Sequence, residues 1–149
     1  MYIDDIEELK GLEFNHKVKI QKRFNDVDML GHVNNAVQLT YFDYGKIEYM
    51  NAVKFNFPEE NGDFLVNVNI NVDFKEQVFF DDELEVWTKI HKIGYKSVRM
   101  IQVLVDSKTG HVKTIGRTVM CGFNLKEQKS ILIRDDWREM ANRFEQYKP

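Results

Sequence analysis

The sequence predicts an α+β fold in which an antiparallel sheet wraps around one long central helix. Three observations carry this. Phe64, Val66, Val68, Ile70, Val72 and Phe74 alternate with Leu65, Asn67, Asn69, Asn71 and Asp73, the period of a half-buried strand. Three more strand patterns follow, joined by connections too short to hold a crossover helix, so neighbouring strands run antiparallel. Ahead of them, Ala36, Val37, Leu39, Tyr41, Phe42, Tyr44, Ile47, Tyr49, Met50 and Val53 leave few polar positions on any helical face. A helix apolar nearly all round is expected to be buried nearly all round.

Taken in order, Met1 to Gly11 is acidic, with Ile3, Ile6 and Leu9 at helical spacing, a pattern that fits equally a short amphipathic turn docked on the body and a frayed end. From Phe14 the apolar residues Phe14, Val18, Ile20 and Phe24 alternate with polar ones as in a strand, and His16 on that apolar side reads as a partly covered strand histidine. The helical run ends at Phe57-Pro58 and a Gly62 turn. After the alternating strand 64–74, Leu84, Val86, Thr88 and Ile90 share one face of a second strand. Ile93-Gly94-Tyr95 turns, and Lys96 to Val105 is a third. Asp106 to Gly110 has the length of a hairpin turn into the last long strand, Val112 to Phe123. Trp137, Met140, Ala141 and Phe144 form the apolar stripe of a terminal helix, with Asp136 as N-cap and Glu139 completing a capping box.

At 149 residues the chain suits a single domain, residues 1–149, with one core. A net charge of -3 and no basic cluster argue against nucleic acid. Cys121 is the lone cysteine, which excludes an internal disulfide and fits a reducing compartment. No basic start precedes an apolar segment, and no run approaches the ~20 apolar residues of a membrane span. The cytoplasm is the expected location, with no membrane partner.

The chemistry concentrates where the first strand pattern gives way to the helix, in Arg23-Phe24-Asn25-Asp26-Val27-Asp28-Met29-Leu30-Gly31-His32-Val33-Asn34-Asn35. Short polar residues and glycine favour a turn and a helix N-cap. Carboxylates, a histidine and a helix N-terminus together can activate water and polarise a carbonyl. From composition alone, Asp26 and Asp28 would only brace the turn through side-chain to backbone hydrogen bonds.

The pattern D-x-D-x-x-G-H-V-N-N before an aromatic-rich helix resembles the hotdog-fold thioesterases of the 4-hydroxybenzoyl-CoA thioesterase and acyl-ACP thioesterase group, and the resemblance runs from about Val18 to the end of the chain. It implies hydrolysis of an acyl-CoA or acyl-ACP thioester; no cofactor or metal is expected. It assigns the catalytic carboxylate to Asp28, as general base or nucleophile, and matches His32 to the histidine of the acyl-ACP thioesterases. The side chains of Asn34 and Asn35 serve as caps, with Asn35 also a wall of the site, Gly31, Val33 and Asn34 beside the substrate, and a backbone N–H near Asn34 or Asn35 polarising the carbonyl. Lys96, Ser97 and Arg99 resemble the strand segment near the pantetheine. Leu30 stands where the acyl-ACP family has an asparagine, so this chain combines features of both branches.

Other chemistries find less support. No G-x-S-x-G elbow is present; His91 and His111 stand alone, without metal-ligand spacing; Cys121 lies within a strand pattern and reads as packing. Asp43 and Glu48 on the helix rank below Asp28 as bases. A non-enzymatic acyl-CoA sensor or subunit is the rival reading, separated by a hydrolysis screen. Hydration or dehydration of acyl thioesters ranks third, since those hotdog branches carry a different helix-start motif. A lone sheet leaves two edges and one helix flank uncovered, which predicts a homodimer or a dimer of dimers.

Overall fold

The structure, a computed structural model, describes residues 1–146. Its strands are β1 (His16–Lys19), β2 (Asp63–Phe74), β3 (Leu84–Ile93), β4 (Ser97–Asp106), β5 (Val112–Asn124) and β6 (Lys129–Ile131), and its helices are α1 (Asn35–Val53) and α2 (Asp135–Gln146). All pairings are antiparallel, in the order β1-β3-β4-β5-β2, with β6 on the end of β5. The Asp106–Gly110 turn closes the β4–β5 hairpin: the Gly110 N–H donates to the Asp106 carbonyl at 2.8 Å, and Gly110 takes a φ of 79°.

Helix α1 runs along the inner face with its backbone nearest β3 and β1, and its side chains reach β5. Gln38 meets Thr114 by a side-chain hydrogen bond, and Phe42 lies on Gly116. Deeper in, Gly45 lets the helix backbone approach β3 so closely that a Cβ there would drive into Val86. Gln102 Nε2 donates to the Phe42 carbonyl at 2.9 Å and to Thr88 Oγ1 at 3.0 Å, which satisfies the buried amide between helix and sheet. The inner core has two centres. One, at the start of α1, gathers Val33, Tyr41, Phe42, Val78, Leu84, Val86 and Leu104; the other, at its end, packs Tyr49, Val53, Met100 and Met120 against Trp137 and Ala141 of α2.

The N-terminal segment does dock, and its place is the outer face. A 3-10 turn at Ile3–Asp5 leads Ile6 and the fully buried Leu9 onto Ile101, Val103, Val105 and Ile115. Glu8 and Asp73 pair there with Arg117, whose guanidinium bond holds the Glu8 carboxyl below its usual range.

Four expectations are corrected. First, α1 is not buried all round: Leu39, Tyr44 and Ile47 are exposed, Ile47 by 60%, because one sheet covers one side of a helix. Second, the apolar set of β2 does not share a face. The register slips between Asn67 and Asn69, a β-bulge that inserts Val68. Beyond it Ile70, Val72 and Phe74 pair with the inward Thr118, Gly116 and Thr114, whereas Phe64 and Val66 pair with Phe123 and Cys121 on the other face. Third, β1 is only four residues long. Phe14 packs outward on Trp87, and Phe24, in the 3-10 turn Phe24–Asp26, is 83% exposed. Fourth, α2 begins at Asp135, so Asp136 lies inside the first turn, where it binds the Arg134 guanidinium rather than capping. Glu139 pairs with Arg143. Strand β6, three residues long, has no sequence pattern that predicts it. Among the described residues no helix is long and apolar enough to cross a membrane.

Candidate active site

The motif folds into a closed turn whose backbone explains its residue types. The Asp28 N–H donates to the His32 carbonyl at 2.8 Å and the Gly31 N–H to the Asp28 carbonyl at 3.1 Å, with a Val27–Val33 bridge at the base. Gly31 has a φ of 77°, the left-handed region that only glycine enters freely, so its place in the motif is conformational.

The Asp28 side chain folds back over this turn. Its Oδ1 accepts the Leu30 N–H at 2.9 Å and the His32 N–H at 3.2 Å. Oδ2 has no partner among the described residues and faces an exposed setting. One oxygen thus fixes the carboxylate while the other stays available, the arrangement a general base or nucleophile needs.

Asn34 is the cap of α1: its Oδ1 accepts the Ala36 N–H at 2.8 Å, and its carbonyl accepts the Gln38 N–H at 3.2 Å. Of the two asparagines expected as caps, Asn34 takes the role, and Asn35 is the first helical residue, exposed. The Asn35 and Val37 N–H groups have no partner among the described residues, so the positive end of the helix retains free donors.

His32 stacks edge-on against Phe79, ring centroids 5.0 Å apart, and a backbone bridge joins the two residues. Val33 is buried in the inner core, its N–H donating to the Val78 carbonyl at 2.7 Å; it anchors the turn by packing. Asp26 is also buried, accepting from the Tyr41 hydroxyl at 2.6 Å and the Arg23 N–H at 2.8 Å. Burial raises its carboxyl, but these two bonds outweigh it and hold the group below the usual carboxylate range. Burial pushes the Tyr41 phenol up, and the bond to Asp26 adds to that shift. Asp26 therefore builds the site without facing it.

Lys96 and Ser97 sit elsewhere in the chain. Ser97 opens β4 and pairs with Cys121 late in β5, whereas the Asp28 turn lies at the other end of the sheet, beside Val78 and Phe79 just ahead of β3. A strand of this length separates them by roughly 30 Å. The residues that support the turn from afar, Val78, Phe79 and Tyr41, carry no signal in the motif's spacing. Tyr41 reads as one more core aromatic, and Phe79 lies in a stretch without periodicity. Among the described residues no three His, Cys, Asp or Glu side chains gather where a metal ion could be held.

Comparison with known proteins bears on this geometry. The family model described as the thioesterase-like superfamily matches residues 22–141. The chain is 29% identical over 122 residues to the Bacillus subtilis protein YsmA, covering 81% of each chain. It is 24% identical over 124 residues to the Escherichia coli long-chain acyl-CoA thioesterase FadM, covering 83% of this chain and 94% of that one. A Thermus thermophilus thioesterase, solved as a complex with coenzyme A and Zn, superposes with a TM-score of 0.76 at 27% identity, covering 91% of this chain and 98% of that one. The match over most of the chain, on a sheet wrapped around α1 with its motif at the helix start, places the protein in the thioesterase-like superfamily, as a thioester hydrolase with the hotdog fold.

Proposed function

We propose that the chain hydrolyses an acyl-CoA or acyl-ACP thioester to free acid and thiol with Asp28 as the catalytic carboxylate. The observation that carries this is the Asp28 side chain itself, one oxygen held by two backbone N–H groups and the other open, one short turn before a helix with unpaired N–H donors. As general base, Oδ2 takes a proton from water as the water oxygen attacks the carbonyl carbon. As nucleophile, Oδ2 attacks directly, and water then hydrolyses the acyl-enzyme anhydride. In both, negative charge gathers on the carbonyl oxygen, where the Asn35 or Val37 N–H and the helix dipole stabilise it, and the carbon–sulfur bond breaks to release the thiolate, which takes its proton from Asp28 Oδ2 in the first route and from water in the second. His32 and Asn35 line this site, with Gly31 and Asn34 shaping the turn beside the acyl group. Coenzyme A is favoured as carrier by the E. coli relative that acts on long-chain acyl-CoA and by the complex of the Thermus structure.

A homodimer completes the reading. The open β2 edge exposes Val68 and Ile70, and a second copy pairing its β2 antiparallel about a twofold axis covers both. That pairing reverses strand direction, so the Asp63 end of one β2 lies beside the Phe74 end of the other. It carries the Lys96–Ser97 corner of the second copy toward the Asp28 turn, the place where those residues can meet the pantetheine. The acyl chain then lies in the apolar channel between the subunits, and the setting is cytoplasmic.

The test is a hydrolysis screen over acyl-CoA chain lengths and aromatic acyl-CoAs, with Asp28→Asn as control. Asp28→Asn is expected to lose about 100- to 10,000-fold in rate while still binding a non-hydrolysable acyl-CoA analogue. Tight binding by wild type without hydrolysis of any substrate would replace the enzyme by a sensor. A wild-type rate in Asp28→Asn would move the base elsewhere, with Asp43 and Glu48 next to be tried.

A further inference from the structure

Asp26 differs from every other carboxylate near the motif. It is 6% exposed, in the core at the start of α1, and burying a carboxylate is costly unless its oxygens are fully paired. Its partner Tyr41 packs in the apolar cluster of Val33, Phe42, Val78 and Leu104, so the carboxylate is a charged group held at the border of that cluster. What Asp26 does is join three points of the chain, two through its carboxylate and one through its backbone. Its Oδ2 accepts from the Tyr41 hydroxyl in the second turn of α1 and from the Arg23 N–H ahead of the loop, and its backbone carbonyl accepts the Asn34 N–H at 3.1 Å. The loop from Asp26 to Asn34 is thus pinned at its entrance to the body of the helix and at its exit to the helix cap. Asp28 lies two residues past the first pin, on an exposed turn held by its own backbone and, on its far side, by the contacts of His32 and Val33 with Phe79 and Val78.

We propose that Asp26 and Tyr41 form a positioning pair, whose buried hydrogen bond fixes the Asp28 turn against α1 so that the Asp28 carboxylate and the free N–H groups of the helix start address the same carbonyl. The proposal rests on the reading of Asp28 as the catalytic carboxylate. Neither member touches substrate. Both act through the geometry of the loop, where a displacement of an ångström is enough to cost about 10- to 100-fold in rate.

The experiment compares Tyr41→Phe, Asp26→Asn and Asp26→Ala with wild type and Asp28→Asn, reading kcat and KM below each variant's melting temperature and amide hydrogen exchange at Leu30 and His32. Tyr41→Phe keeps the ring and removes the hydroxyl. It is expected to lower kcat about tenfold or more with KM within about twofold, and to speed exchange at the two amides that hold Asp28. Asp26→Asn keeps an oxygen able to accept both donors, so it is expected to recover most of the kcat that Asp26→Ala loses. A purely structural pair would lower the melting temperature while leaving kcat of the folded enzyme and exchange at the two amides unchanged. That result in Tyr41→Phe overturns the proposal. If Tyr41→Phe does not fold, the Asp26 variants decide it: equal kcat in Asp26→Asn, Asp26→Ala and wild type overturns it, and a graded loss sustains it. Wild-type rate in Asp28→Asn removes the catalytic reading and this one with it, whereas an inactive Asp28→Asn beside a normal Tyr41→Phe removes only the pair.

Discussion

His32 and Asp28 share one turn but hold different positions in it. Asp28 has a free oxygen and fixed orientation, whereas His32 leans on Phe79 with both ring nitrogens unpartnered among the described residues. His32→Ala is therefore expected to reduce kcat/KM about tenfold, well short of the loss in Asp28→Asn. A full-activity variant, measured on the same acyl-CoA, would make His32 a support for the turn alone. Asp26 has a second, thermodynamic signature. Its folded carboxyl is held below the ordinary value, so the stability it contributes is present above the unfolded pKa of about 3.9 and is lost as pH falls below that toward the folded value. Asp26→Asn is expected to flatten the fall of the melting temperature across that acid range; an unchanged slope in thermal melts would mean that the charge contributes no linkage. The identities of Asp28 and His32 as candidates were legible in the motif, because the turn that holds them is local. Tyr41 as the partner of Asp26 was not, since the hydrogen bond forms only after the helix has folded back beside the loop.

Elements meet here by close approach rather than by bulk. Gly45 permits α1 to sit on Val86, so Gly45→Ala is expected to cost about 1–3 kcal/mol through overpacking, despite the helix propensity gained. Chemical denaturation that shows equal or higher stability would mean Val86 yields. Leu9 is fully buried under the N-terminal segment on the outer face, and Leu9→Ala is expected to cost about 2–5 kcal/mol, read by the same method. A cost under about 1 kcal/mol would show the segment to be loosely seated. Strand existence followed from alternation in β2 and β3, as period-2 patterning marks a sheet with two different faces, and from apolar runs bounded by turn residues in β4 and β5. The faces themselves did not follow for β2: inserting Val68 as a bulge inverts every side chain beyond it, and the bulge leaves no mark in a run that alternates throughout.

At the scale of the molecule, α1 leaves Leu39, Tyr44 and Ile47 in water and β2 leaves an apolar edge, surfaces that a second copy would cover together. Light scattering at micromolar concentration is expected to return at least twice the 17.7 kDa of one chain. Ile70→Lys, which sets a charge on that edge, is expected to yield monomers and to lose hydrolysis with them; a monomeric wild type, or an active monomeric variant, would remove the shared site. The sequence by itself determined the α+β class, the long helix, most strands and the place of the candidate site, because periodicity, turn residues and a helix cap are all written within a few neighbouring positions. The tertiary structure alone decided which side of α1 is covered, where the N-terminal segment docks, how the bulge turns β2, and that Lys96 and Ser97 lie at the far end of the sheet from Asp28. These depend on contacts between residues far apart in the chain, and local pattern carries no term for them.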